Sequence, residues 1–474
     1  MRTSALQYLY LQKPVSSIIL ICIISILPWM LHPVYTTEEI KHVELSNSIL
    51  VSGDWVLPKA PTGEIFSRPP MVHWLMALVS LPQGSLSVFT TRLPSILAFV
   101  ILMVFVLLFL GRHLRFQEAF IAVLLLITCV GVRCVSISAD ANMIYSAFLL
   151  IGLFKMYRWE NKLNLKGLPI IIPLMLSGAI LTKGLAGVIY PLLIFGCYLV
   201  FLRKYTPLKI VKSLFYTGLT ALFIPLIWYI EGARQGGSEF IQTALWGDLR
   251  SLIGMGDFGN DSVYGYGQTI FFPIIGFLPW TILLFCSLFG LSRKDFSPVD
   301  LVEKDQEEVR TRKKMRLFCS IAALGFFILI FLSGRNTFSA FLPAYPFIAI
   351  FVAQYILYLT ENRSYVTRIF AGILAIASSV LVVVCFLVLG NLVNIGEVLV
   401  SYAKMNAETA KIIVEAVSLQ NMSFVIPLFF VLAALVTAYY QLFKKINIKI
   451  LYATIFLLFC SYLLLDGLVM KTYM

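Results

Sequence analysis

The groups able to do acid–base or phosphate chemistry are concentrated in one polar stretch of this 474-residue chain. It reads Glu38-Glu39-Ile40-Lys41-His42-Val43-Glu44, then Gly53-Asp54-Trp55-Val56-Leu57-Pro58, then Ser67-Arg68-Pro69-Pro70-Met71-Val72-His73-Trp74. Further along, Ala139-Asp140-Ala141-Asn142, Thr182-Lys183-Gly184 and Ser333-Gly334-Arg335-Asn336 each set a charge between apolar runs. Carboxylates (Glu38, Glu39, Asp140) near cations (Arg68, Lys183, Arg335) suit transfer of a group away from a phosphate. A carboxylate takes the proton of the incoming nucleophile, and cations stabilise the charge that develops on the departing phosphate. Where the leaving group carries one phosphate, basic side chains serve without a divalent metal, and the chemistry calls for no cofactor.

The elements that must position these groups are membrane spans. With 59% hydrophobic and 13% charged residues and a mean hydropathy of +0.89, the chain is far more apolar than a soluble domain, in which about a quarter of residues are charged. Apolar runs long enough for helices recur at about 15–31, 89–110, 118–135, 141–157, 169–183, 185–202, 213–231, 269–291, 317–333, 338–359, 369–393, 422–442 and 450–468, about thirteen spans of an all-α polytopic protein. No small-residue cleavage site follows the first run, which reads as a retained anchor. The eight cysteines lie in apolar segments without metal-ligand spacing and read as small core residues.

The net charge of +13 is topological. If the amino terminus lies inside, the alternate loops hold about 25 of the 37 basic residues and about 9 acidic ones, so the inner side is strongly positive and the outer side slightly negative. That removes nucleic acid as a partner and leaves membrane lipids. The charge run from Asp295 to Arg316 reads as a solvated cytoplasmic linker.

With this topology all six candidate groups face outward. The first outer loop, about residues 32–88, is long enough for structure of its own. Apolar spacing over Glu38 to Val51 predicts an amphipathic helix on the membrane surface, and Pro69-Pro70 predict the start of a second through Leu81. Asp140 lies at or just below the outer surface, where an acidic group is a site candidate; as the residue before an apolar run it also suits a helix cap. Lys183 is placed for a lipid phosphate, or for snorkelling to the surface. The other outer loops, about 232–268 and 394–421, read as lids or acceptor-recognition elements.

In this order the pieces resemble a family of integral-membrane GT-C glycosyltransferases that use polyprenyl-phosphate sugars, especially the relatives of the bacterial 4-amino-4-deoxy-L-arabinose transferase of lipid A and the protein O-mannosyltransferases. The resemblance rests on Glu38-Glu39, Gly53 to Pro58, Ser67-Arg68-Pro69-Pro70, Ala139-Asp140, Leu181 to Gly184, Gly276-Phe277-Leu278-Pro279-Trp280 and Leu342-Pro343-Ala344-Tyr345-Pro346, within roughly the first 360 residues. It implies a GT-C-like catalytic region over 1–360, including the 32–88 loop, followed by carboxy-terminal helices over 361–474. It also implies Glu38 as base or acceptor-orienting group with Glu39 as its acidic neighbour, Asp140 in support, and Arg68, Lys183 and Arg335 on the lipid phosphate. Glu38 stands where the family has Asp, Arg68 where it has Lys, and Ala340 where its Ser-Lys-x-x-x-Tyr segment has Tyr. The implied partners are an undecaprenyl-phosphate sugar as donor and a lipid, glycan or protein as acceptor. The implied location is the bacterial inner membrane, with the site toward the periplasm. Two other classes fit the same charges: a transporter or lipid flippase, which calls for internal repeats and charges near the membrane middle, and a relative without catalysis that only binds lipid.

Overall fold

The computed structural model describes residues 13–30, 37–58, 69–163, 167–252, 270–290, 306–333, 338–362, 364–389, 422–445 and 447–472. Among them there are helices and no strands, because lipid offers backbone groups no partners and a helix satisfies its own. They divide into two compact units: one takes in residues up to Cys22 and Tyr35–Ala353, the other Ile23–Val34 and Gln354–Met474.

The chain opens with α1 (Pro14–Met30), and the expected loop helices follow as α2 (Thr37–Ser52) and α3 (Met71–Ser80). The long span α4 (Val88–Leu110) starts at a capping box, Thr90 N–H donating to Ser87 Oγ at 3.2 Å and Ser87 N–H to Thr90 Oγ1 at 2.9 Å. The run expected as one span over 118–135 is instead α5 (Phe116–Ile127) and α6 (Val130–Ser136), bent by 66°. Then come α7 (Ala141–Trp159), α8 (Ile171–Lys183), α9 (Ala186–Leu202), α10 (Pro207–Phe240) and, after a π-helical stretch Ile241–Trp246, α11 (Gly247–Leu252). The run at 269–291 is likewise divided, into α12 (Phe271–Gly276) and α13 (Thr281–Gly290); α14 (Gln306–Leu332) and α15 (Tyr345–Asn362) follow.

The bend between α5 and α6 has a cause on each side. Thr128 Oγ1 turns back to the Leu124 carbonyl at 2.8 Å and accepts from the Trp280 indole at 3.0 Å, while Val130 N–H leaves the helix ladder for the Leu278 carbonyl at 3.1 Å. A neighbouring segment thus supplies the partners that a broken helix loses. The approach is close: a side chain at Gly131 would come within 2.9 Å of both the Gly276 carbonyl and the Tyr345 ring. The motifs at Gly276–Trp280 and Tyr345 therefore meet at this bend.

Beneath it, Phe109, Phe154, Tyr157, Tyr198, Phe318 and Phe347 form an aromatic core, with centroid separations of 4.3 Å for Phe109–Phe154 and 4.7 Å for Tyr157–Phe318. Its charged end corrects the linker reading. Arg312 of α14 is buried and lies 3.7 Å from buried Glu118, and Glu160 at the end of α7 gathers Lys204 at 3.0 Å and Lys314 at 3.7 Å. Part of the charge run is thus docked, because α5 opens and α7 closes with carboxylates, Glu118 and Glu160, that burial would otherwise leave unpaired. The Lys204 ammonium is held above its ordinary range, first by its hydrogen bond with Tyr205 and then by Glu160.

In the second unit α16 (Ser364–Leu389), α17 (Met422–Lys444) and α18 (Asn447–Thr472) pack through small residues, among them Ala375, Ala434, Ala438 and Cys460. Outward faces stay apolar, as on α10, where Phe215, Phe223 and Ile227 are exposed. In water that face would be a liability; in lipid it is solvated. Seven described helices are long and apolar enough to cross a membrane, or eight with the bent pair counted as one, and α1, α8 and α9 are apolar but shorter. Five cysteines are buried as expected, whereas Cys134, Cys197 and Cys286 are exposed.

The bend gives a test of the packing. Gly131→Leu should lower stability by about 1–3 kcal/mol through overpacking, read as a lower unfolding temperature in detergent, whereas Ile101→Leu on the exposed face of α4 should leave it unchanged.

Candidate functional site

The site is assembled from α2 upward. Gly53, with φ +71°, ends α2 in the left-handed region that its missing Cβ permits. Asp54 Oδ1 then accepts from Val56 N–H at 2.9 Å and Leu57 N–H at 3.1 Å, turning the chain back over the helix. The carbonyls of this turn are taken by two indoles: Trp74 donates to Trp55 O at 2.6 Å and Trp228 to Val56 O at 3.0 Å. Leu57 is buried with Leu181, Trp228, Phe240 and Ala244. The Gly-Asp-Trp motif is thus a clamp joining the loop to α3, α8 and α10.

Pro70 stands at the amino-terminal cap of α3, where its missing N–H leaves no helix hydrogen bond unmade. α3 buries Val72 and Met76 against Ala139 and Ile144. It is also tied to α2 through His42 Nδ1 and His73 Nε2, 3.0 Å apart, and through Ser46 Oγ on the Met76 sulfur at 3.4 Å.

These contacts carry Glu39 into the protein, where it is 2% exposed. The Arg92 guanidinium meets it side-on, Nε to Oε1 and Nη2 to Oε2, both at 3.1 Å. Ala139 N–H donates to the same Oε1 at 2.8 Å. The carboxylate is neutralised and fixed, and it holds the turn before α7 in place. Ser95 Oγ, one turn along α4 from Arg92, adds a bond to the Asp140 carbonyl at 3.2 Å.

Asp140 is the cap of α7: its Oδ1 accepts from Asn142 N–H at 2.9 Å. Its other oxygen accepts from the Asn142 side-chain amide, and the oxygen of that amide accepts from Lys183 Nζ. Lys183 lies over the Tyr145 ring, 5.4 Å from its centroid. Asn142 therefore links the acidic position to the basic one, spending its donor on the carboxylate and its acceptor on the ammonium.

Of the residues singled out from sequence, the structure brings Glu39, Asp140 and Lys183 into this one set. Glu38 belongs to the first turn of α2, with its side chain outside the described residues, as are Arg68 and Arg335. Arg92 was missed, although an arginine just inside a long apolar run is a signal in itself. Asn142 was noted only as part of the turn. Among the described residues no three metal-ligating side chains converge.

Comparison with known proteins follows the same lines. Residues 67–229 match the family described as dolichyl-phosphate-mannose-protein mannosyltransferase. The chain is 25% identical over 258 residues to an undecaprenyl phosphate-alpha-4-amino-4-deoxy-L-arabinose arabinosyl transferase of Edwardsiella ictaluri (52% of this chain, 44% of the relative). To the protein so named in Pseudomonas aeruginosa it is 24% identical over 269 residues (55% and 47%). The alignments thus span less than half the length of these relatives. Among solved structures, ArnT from Cupriavidus metallidurans bound to undecaprenyl phosphate superposes with a TM-score of 0.68 at 16% identity, covering 98% of this chain and 78% of that one. Its apo state gives 0.69 at 15% identity, covering 97% and 77%. The fold is that of the GT-C glycosyltransferases. The resemblance read from the ordered motifs is borne out, and with it an all-α, multi-pass membrane protein.

Within this fold the buried ion pair is the fixed point of the site. Arg92→Ala should cost about 3–5 kcal/mol, because it leaves a buried carboxylate unpaired. Removing both partners, Glu39→Leu with Arg92→Leu, should cost less than the arginine change alone. Thermal unfolding of the single and double variants in detergent provides the cycle.

Proposed function

We propose that the chain is a glycosyltransferase that moves a sugar from a polyprenyl-phosphate carrier, undecaprenyl phosphate in a bacterial inner membrane, to a lipid, glycan or protein acceptor on the periplasmic face. The observation that carries the reading is the Asp140–Asn142–Lys183 chain, held beside the start of α2 by the Glu39 pair. It sets a carboxylate and a cation next to the helix turn that bears Glu38. The GT-C fold and the relatives' names support the class of donor.

On this reading the acceptor hydroxyl gives its proton to the Glu38 carboxylate, and its oxygen attacks the anomeric carbon. The bond from that carbon to the phosphate oxygen breaks, and the electron pair leaves with the phosphate. Attack opposite the leaving group inverts the anomeric centre. Lys183, Arg68 and Arg335 stabilise the charge on the departing lipid phosphate, which is why no metal is required. Asp140 acts through Asn142 to hold Lys183, and Glu39 acts through Ala139 to hold Asp140. Glu39 is thereby assigned a positioning role, since a carboxylate in a side-on pair with a guanidinium is a poor proton acceptor.

The test is chemical. In cells carrying Glu38→Gln a polyprenyl-phosphate sugar should accumulate, and mass spectrometry of extracted lipids would name the donor; unchanged lipids with every glycan intact would sink the assignment. Asn142→Ala, which cuts the link but removes no charge, should lower transfer about 10–100-fold, the cost of one misplaced group, with undecaprenyl phosphate still bound.

A further inference from the structure

Asp248 belongs to none of the motifs above. Near the end of α10 the chain kinks at Gly237, with φ +62°, and the stretch that follows is packed back onto the earlier part of that helix and the loop through Trp228, Phe240, Ala244 and Leu57. This brings α11 against the turn between α8 and α9. Two independent contacts fix the Asp248 carboxylate there. The Tyr229 hydroxyl donates to its Oδ2 at 2.7 Å. Both carboxylate oxygens also crowd Gly184, so that any side chain at 184 would run into them, and the φ of +72° there suits glycine as well. A partly buried acid thus lies against the residue that follows Lys183.

The proposed function gives this position chemical meaning, and the inference rests on that reading. If Lys183 holds the carrier phosphate, a carboxylate packed on the next residue of the chain, Gly184, repels the phosphate itself and attracts what the phosphate carries. The sugar is bonded directly to that phosphate. Its hydroxyls donate hydrogen bonds, and an amino group on it adds a positive charge. The Tyr229 hydroxyl donates to one oxygen of the Asp248 carboxylate and fixes the group's orientation. The π-helical stretch just before α11 is a feature frequent at functional sites. We propose that Asp248, oriented by Tyr229, recognises the sugar of the lipid-linked donor and helps to set which sugar is accepted.

The experiment compares binding of undecaprenyl phosphate alone with undecaprenyl phosphates carrying glucose, mannose or 4-amino-4-deoxy-L-arabinose, using the full chain in detergent. Wild type should bind at least one of the sugar lipids about tenfold or more tighter than the bare lipid, the worth of one hydrogen bond to a charged group. Asp248→Asn should lose most of that preference and bind the bare lipid as well as wild type or better. Tyr229→Phe, which keeps the acid and frees its orientation, should lose about threefold by the same affinity scale. An equal loss for bare and sugar-bearing lipids would overturn the proposal, reducing Asp248 to a latch that holds α11 on Gly184. So would a wild type with no preference among the lipids, or an unchanged preference in both variants. A wild type that binds none of the four would overturn the donor reading along with it.

Discussion

The interaction on which the rest depends is the buried pair of Glu39 and Arg92. Each charge would be costly alone at the end of a helix bundle, where water is scarce. The side-on geometry and the added amide of Ala139 satisfy the carboxylate, and in doing so they join three segments that are distant in sequence. An exposed pair of the same residues would contribute little and position nothing, because solvent screens it and both side chains keep their freedom. Burial converts the pair into a fixed point.

From that point the outer groups take their places in steps. Ala139 is held by Glu39, Asp140 follows it in the chain, Asn142 is fixed by Asp140, and Lys183 is reached through Asn142. The lysine is therefore oriented by a neutral amide. The clamp at Gly53–Leu57 serves the same end from the other side, since it fixes where α2 stops and how α3, α8 and α10 meet it.

The helices below supply rigidity by unusual means. A bent span is tolerated in lipid only when its freed backbone groups find partners, and here the Gly276–Trp280 segment provides them at Thr128 and Val130. The aromatic core and the carboxylates Glu118 and Glu160 at the other end close the bundle with ion pairs and stacked rings. Glycine is needed where a neighbour leaves no room for a Cβ, at Gly131 against the Gly276 backbone and at Gly184 against the Asp248 carboxylate, and each of these sits beside a motif that the sequence marks out.

Local order determined much of this directly. Spans follow from apolar runs, α2 from its helical spacing, the start of α3 from Pro69-Pro70, and the cap at Asp140 from an acid placed just before an apolar run. All of these depend on residues a few positions apart, whose physics is complete within one turn of helix. What only the tertiary structure decided are the relations across long separations. Glu39 meets Arg92 and Ala139, Trp280 breaks a span by reaching Thr128, Arg312 leaves a charged run to meet Glu118, and Asp248 comes to rest on Gly184. A side chain's charge is written in the sequence, but its partner is chosen by burial, because only where water is excluded does an unpaired charge become too costly to keep.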